Sequence, residues 1–212
     1  MVQVFVGPEL APGWFGWTIP IGNNIVRVGI GTQLGTVKPR HALENLMAAF
    51  AKVFSGSEVQ SYTGGFIPAY SDIKPYCDGA MLFGDAARQV KPFSGGGIYL
   101  SMVAATLAAT TTINALNTRS FSEETLSLYQ RDCENEFGHV LRQGEEIKKT
   151  YLALDQRKLD QVLDILDLPI LRGLIARHGD IDMPFQMFSS LLKAAPVFRW
   201  ILSISSRQTS TA

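Results

Sequence analysis

Apolar and polar positions alternate near the start of the chain, then change to helical spacing. Residues 2–6 read as a first strand, and the Gly7-Pro8 and Pro12-Gly13 pairs punctuate the turn after it. Residues 14–21 form a second, aromatic strand, Gly22-Asn23-Asn24 a hairpin turn, and Ile25, Val26, Val28 and Ile30 a returning third strand. A meander of three antiparallel strands is the simplest arrangement. Over residues 39–54 the period lengthens, with Leu43, Leu46, Met47, Phe50, Val53 and Phe54 on one helical face. A further strand is expected over 61–70, interrupted at Gly64-Gly65 and closed by Pro68, with a loop over 71–78.

The apolar run 80–83 has the length of a buried strand. Residues 99–116, rich in Ala and Thr and free of Gly and Pro, read as a close-packed helix. Ser120-Phe121-Ser122-Glu123 offers a capping box before a helical segment running to 154, charged on one face and weakened at Gly138 and Gly144. Short amphipathic helices are expected over 159–166, 169–177 and 183–204, the last kinked by Pro196. That last helix is core by default, though its Trp200 and Arg199 would also suit a pocket cover or a membrane surface. Residues 205–212 read as a disordered tail. The fold class is α/β, more narrowly α+β. It comprises an antiparallel sheet with one helix (1–70), a strand-loop-helix region (71–118) and a helical region (119–212).

Composition removes several classes of function. Lys plus Arg and Asp plus Glu are equal at 19 each and no basic block occurs, which argues against nucleic acid as a partner. Cys77 and Cys133, far apart, read as two free thiols in a reducing compartment. His41, His139 and His178 lack metal-ligand spacing, and Asp160, Asp164 and Asp167 lack the glycine and closing Glu of a calcium loop, so no metal site is expected. The first residues lack the pattern of a signal peptide. No uninterrupted apolar segment reaches the roughly 20 residues of a spanning helix, so a soluble, cytoplasmic protein with at most peripheral membrane contact is expected.

The chemistry gathers in Gly84-Asp85-Ala86-Ala87, followed by Pro92-Phe93-Ser94-Gly95-Gly96-Gly97-Ile98. The order is strand, acidic turn, glycine loop, helix, and it suits a cofactor carrying hydroxyls and a delocalised negative charge. An ionised Asp85 only accepts hydrogen bonds, so it can receive them from hydroxyls. Gly95, Gly96 and Gly97 lack Cβ atoms, so backbone can approach a flat ring closely. Their N–H groups, at a helix N-terminus, face an anion with the positive end of the helix dipole. The alternative is a connection whose glycines serve only tight packing.

This stretch resembles the second flavin-binding motif of the FAD-dependent geranylgeranyl reductase family, within the aromatic-hydroxylase-like flavoproteins. The resemblance implies that Asp85 contacts the ribityl chain of FAD and that Gly95–97 lie against the isoalloxazine ring. It implies cofactor contacts for Gly84, Asp85, Ala86, Pro92, Gly95, Gly96, Gly97 and Ile98. Pro12-Gly13-Trp14-Phe15-Gly16-Trp17-Thr18-Ile19-Pro20 is similar to the family's Pro-x-x-Tyr-x-Trp-x-Phe-Pro substrate motif, with Phe15 in the Tyr position and Ile19 in the Phe position. The substrate set implied is Pro12, Trp14, Phe15, Trp17 and Pro20, an apolar wall suited to a polyprenyl chain. The residues themselves leave ordinary core packing open. The run from Tyr129 to Gly138 also looks like the family's helical region after the flavin motif.

A self-sufficient enzyme of this kind needs a Gly-x-Gly-x-x-Gly turn for the pyrophosphate, and the chain contains none. The resemblance covers residues 2 to about 154 but only the second half of a family member. The expectation is therefore a C-terminal portion of a reductase of isoprenoid carbon–carbon double bonds, with FAD as cofactor and an isoprenoid lipid as substrate. A truncated gene, a split gene or a partial sequence would each account for the missing half, and a partner chain carrying it is one of the alternatives. No general acid stands out; Tyr70 and Tyr99 are as readily packed tyrosines. The rivals are a related FAD-dependent monooxygenase and a non-catalytic lipid-binding or subunit module.

Overall fold

A computed structural model describes residues 1–178; the helix expected over 183–204 and the tail lie outside the described residues. The fold is mixed α and β with small antiparallel sheets, as the sequence pattern requires. The described chain divides into two compact units, one of Met1–Gly64 with Leu152–Asp167, the other of Gly65–Tyr151 with Leu168–His178.

In the first unit, β1 (Gln3–Val6), β2 (Phe15–Gly22) and β3 (Ile25–Ile30) form the antiparallel meander. The turn between β2 and β3 holds Asn23 at φ 51° and Asn24 at φ 58°, both left-handed. Such a two-residue turn matches the twist of the strands, and Asn tolerates the conformation better than most residues. Register then follows from the alternation. Trp17 pairs with Val4 and Gly29, while Gly16 pairs with Phe5 and Ile30. The face bearing Phe5, Gly16 and Thr18 meets α1 (Pro39–Ala49): Leu46 is fully buried, and a Cβ on Gly16 would fall 2.9 Å from its Cδ2. The Phe5 and Phe50 rings lie 4.6 Å apart.

The helix expected over 39–54 is broken. Phe50 leaves helical backbone at φ −109°, ψ 37°, and α2 (Ala51–Phe54) is a separate single turn with no buried residue. The strand expected over 61–70 is absent: the segment has no ladder partner and is largely exposed, with Phe66 at 88%. Gly64-Gly65 offers no side chain to pack and Pro68 no N–H to donate, so nothing there secures a strand. Two amphipathic helices follow late in the chain, one in each unit. α6 (Gln156–Leu166) starts behind Asp155, whose carboxylate accepts from the Lys158 N–H at 2.8 Å. α7 (Pro169–His178) belongs to the other unit.

The second unit begins with a tight hairpin, β4 (Tyr76–Cys77) and β5 (Ala80–Met81), around Asp78-Gly79. The run 80–83 is thus a two-residue strand rather than a buried one. With β4 as its ladder partner, Leu82 and Phe83 stay about half exposed. Next come a 3₁₀ turn over Gly84–Ala87 and α3 (Ile98–Thr118). α3 carries no charged residue and, against the sequence expectation, is long and apolar enough by length and composition to cross a membrane. One of its faces is packed within the unit. Leu100, Ala104 and Ala108 form a core with Tyr129 and Cys133 of α4 (Glu123–Cys133), Phe137, and Leu141 of α5 (His139–Leu152). Alanines four apart let α4 approach closely, and the fully buried Tyr129 ring fills the space between.

The N-cap of α4 is Ser122 rather than Ser120: its hydroxyl accepts from the Thr125 N–H, and Asp78 Oδ1 accepts from the Glu123 N–H at 2.6 Å. Two first-turn donors are thereby satisfied. A single π turn, Glu134–Gly138, joins α4 to α5 at the first of the two predicted weak points, with Arg142 paired to Glu134 across it.

Candidate cofactor loop and aromatic strand

The predicted cofactor residues fall into one continuous feature of the second unit. Gly84 opens the 3₁₀ turn at φ 65°, a left-handed conformation that favours glycine. It is also hemmed in, since a Cβ there would lie 2.8 Å from Ser101 Oγ. Asp85 and Ala86 follow on the exposed side of the turn, and the Asp85 carboxylate makes no hydrogen bond or ion pair with any described residue. Arg88 closes the turn at φ 55° and donates to Ser71 Oγ at 2.6 Å.

The loop then folds on itself. Lys91 N–H donates to Gly96 O at 3.1 Å, and Gly95 N–H, at φ 70°, donates back to Lys91 O at 2.9 Å. The buried Lys91 side chain lies along Gly96, where a Cβ would meet its Cε at 2.7 Å. Pro92 is buried against α5: a Cβ on Gly144 would fall 2.8 Å from Pro92 Cδ. Gly144, expected only as a weak point, is therefore a seat for the loop. Gly97 is the N-cap of α3 and supplies no side-chain cap, so no side chain caps the first-turn N–H groups of the helix. Ile98 itself is largely exposed, and a Cβ on Gly97 would lie 3.0 Å from Asp85 Oδ1.

Beneath this surface lies a polar network the sequence did not disclose. Gly84 N–H donates to Gln89 Oε1 at 2.8 Å, and Gln89 Nε2 donates to the Tyr129 hydroxyl at 2.9 Å, with Cys133 Sγ at 3.8 Å. All three side chains are buried. Burial pushes the Cys133 thiol up to about 11 and raises the Tyr129 phenol, so both are held neutral. The only advance signal was that Tyr129 and Cys133 stand four apart on one helix.

The aromatic set lies in the first unit. Trp14 and Phe15 rings stack at 5.8 Å, 8° from parallel, and Phe15 meets Trp17 at 5.8 Å and 58°. Phe15 and Trp17 share the sheet face opposite α1, and all three rings are partly exposed. Pro12 accepts from the Gln33 N–H through its carbonyl, at 2.9 Å, and Pro20 is exposed at a bulge in β2. Indoles can lie this flat because β3 is bare beneath them: a Cβ on Gly29 would fall 2.2 Å from Trp17 Cζ2.

A polar groove of about 490 Å³ on the second unit is bordered by Tyr70, Asp72, Gln130, Arg131 and the Glu134–Arg142 pair, and none of the residues predicted to contact cofactor or substrate lines it. Among the described residues no group of His, Cys, Asp and Glu is arranged to hold a metal ion.

The chain is 34% identical over 169 residues to digeranylgeranylglycerophospholipid reductase 1 of Methanococcoides burtonii, covering 77% of this chain and 41% of that protein. It is 29% identical over 202 residues to digeranylgeranylglycerophospholipid reductase 2 of Methanopyrus kandleri, covering 90% and 51%. A crystal structure of a geranylgeranyl bacteriochlorophyll reductase-like protein from Thermoplasma acidophilum superposes with a TM-score of 0.69 at 25% identity, over 86% of this chain and 49% of that one. The chain thus spans about half the length of the curated relatives it matches. No protein-family model matches it.

Proposed function

Because the chain belongs to the geranylgeranyl reductase family, we propose that it carries the flavin-facing and prenyl-facing parts of an FAD-dependent reductase of isoprenoid carbon–carbon double bonds. The observation that carries the reading is the junction of Asp85 with the glycine loop. An unpaired carboxylate stands 3.0 Å from the Cβ position of Gly97, at the uncapped start of a 21-residue helix. Those residues fit the group. The glycine surface admits a flat ring at backbone distance, and Asp85 is placed to accept from hydroxyls on the chain attached to it. The uncapped N–H groups of α3 favour negative charge beside them, by roughly 0.3–1 kcal/mol at an exposed helix terminus.

Bound reduced FAD would supply hydride to one alkene carbon, with a proton completing the addition at the other. The chain's own part is binding and orientation. Asp85 anchors, Gly84 and Ala86 shape the turn, and Pro92, seated on Gly144, holds the loop from behind. Gly95, Gly96, Gly97 and Ile98 form the surface toward the ring. Trp14, Phe15 and Trp17 offer apolar area to a prenyl chain, with Pro12 and Pro20 bounding that strand.

The test is product mass after anaerobic incubation with FAD, dithionite and a geranylgeranyl glycerophospholipid. A gain of two hydrogens per saturated bond supports the reading. Oxygen incorporation in air would instead identify a monooxygenase. Retention of lipid without turnover, in a chain spanning half of its relatives, would identify a binding module that depends on a partner chain.

A further inference from the structure

Gln89 occupies a position that contact with a ligand does not explain. It is 5% exposed and lies behind the 3₁₀ turn, so its amide cannot be part of the loop's outer surface. Its two ends are used differently. The carbonyl oxygen accepts from Gly84 N–H at 2.8 Å, and the amino group donates to the Tyr129 hydroxyl at 2.9 Å. The orientation of the amide follows from Gly84, whose N–H can only donate. The backbone adds a second clasp around the same turn, Gln89 N–H to Gly84 O at 3.0 Å. Gly84 and Gln89 therefore bracket Asp85 with one bond through backbone and one through side chain.

Resting on the cofactor reading above, we infer that Gln89 is a positioning residue: it fixes the Gly84 peptide, and hence the direction of the Asp85 carboxylate, and is itself fixed by Tyr129 from α4. Asp85 has no described protein partner of its own, so its aim depends on the backbone that carries it. Gly84 at φ 65° is the hinge of that backbone, and its N–H is buried, so loss of Gln89 Oε1 would leave a buried donor unsatisfied. Tyr129 is fully buried in the α3–α4 core, and this ties the turn to the packed interior of the unit. The network is a chain of support from core to loop, with Asp85 as its outermost member.

The test compares the full chain with Gln89→Met, Gln89→Glu and Tyr129→Phe, reading FAD affinity by titration and hydrogen exchange at the Gly84 amide. Gln89→Met keeps the length but removes both polar ends; it is expected to weaken FAD binding roughly tenfold and to speed Gly84 exchange. Gln89→Glu retains an acceptor for Gly84, but burial disfavours its charge as it does that of Cys133 and Tyr129, so both readouts are expected to approach wild type only as pH is lowered and the carboxyl is protonated. Tyr129→Phe keeps the ring and serves where Gln89→Met does not fold; an intermediate loss in both readouts is expected. Wild-type FAD affinity and Gly84 protection in Gln89→Met would overturn the positioning role alone. A folded wild type that binds no FAD would overturn the cofactor reading, and unchanged Gly84 exchange in the variants would then overturn the positioning role as well.

Discussion

The indole of Trp14 lies over Gly31 so closely that a Cβ built there would fall 1.3 Å from its Cδ1. Backbone N–H of Gly31 in turn donates to Phe15 O at 3.0 Å, so the ring and the strand pairing share one space. Gly31→Ala must therefore move Trp14 off its seat and unstack it from Phe15. We expect a shift in tryptophan emission and a loss of about 1–3 kcal/mol, as for overpacked sites. Unchanged emission and Tm would contradict the placement of the ring.

Gly144 sets two effects against each other. Replacing a mid-helix glycine by alanine gains about 1 kcal/mol of helix propensity. Against that, the new Cβ would stand 2.8 Å from Cδ of Pro92, a rigid ring in a loop closed by two backbone hydrogen bonds. The clash should win. Gly144→Ala is expected to lower Tm and weaken FAD binding; a higher Tm would show that α5 does not seat the loop.

The two faces of α3 should respond differently. Leu100 is 1% exposed in the core with Tyr129, whereas Met102 is 67% exposed. Leu100→Ala is expected to cost about 2–5 kcal/mol in denaturant unfolding, and Met102→Ala less than about 0.5 kcal/mol. Similar costs would mean that the helix is turned otherwise.

Alkaline pH should loosen the second unit. Burial raises the Cys133 thiol from its usual 9.0 to about 11, and raises Tyr129 in the same direction. Both groups are native in the neutral form. Their contribution is complete below the unfolded pKa and is lost as pH rises through the folded one, for Cys133 between 9.0 and about 11. Tm is expected to fall across that window, less steeply in Cys133→Ala. Alkylation of the native protein should reach the exposed Cys77 and spare Cys133; equal rates would contradict the burial.

The sequence was informative wherever local pattern decides structure. The meander, its Asn23-Asn24 turn and the strand-turn-loop-helix order around Asp85 all follow from alternation, turn chemistry and glycine placement. Residues 61–70 misled because their apolar content looks like a strand, while pairing depends on a neighbour that local sequence does not specify. Ser120 and Ser122 are equally plausible caps on paper, and the contact from Asp78 to Glu123, 45 residues apart, accompanies the second. The support of the loop was not legible at all. Gln89 meets Tyr129 across 40 positions, and Gly144 meets Pro92 only after α5 folds back on the loop.

The most direct measurement is a titration of the folded chain with FAD, followed by visible absorbance, beside Asp85→Ala. Saturable binding is expected of the wild type, weakened at least roughly tenfold in the variant by loss of a charge-assisted acceptor. Absence of binding, or binding indifferent to Asp85, would contradict the cofactor reading.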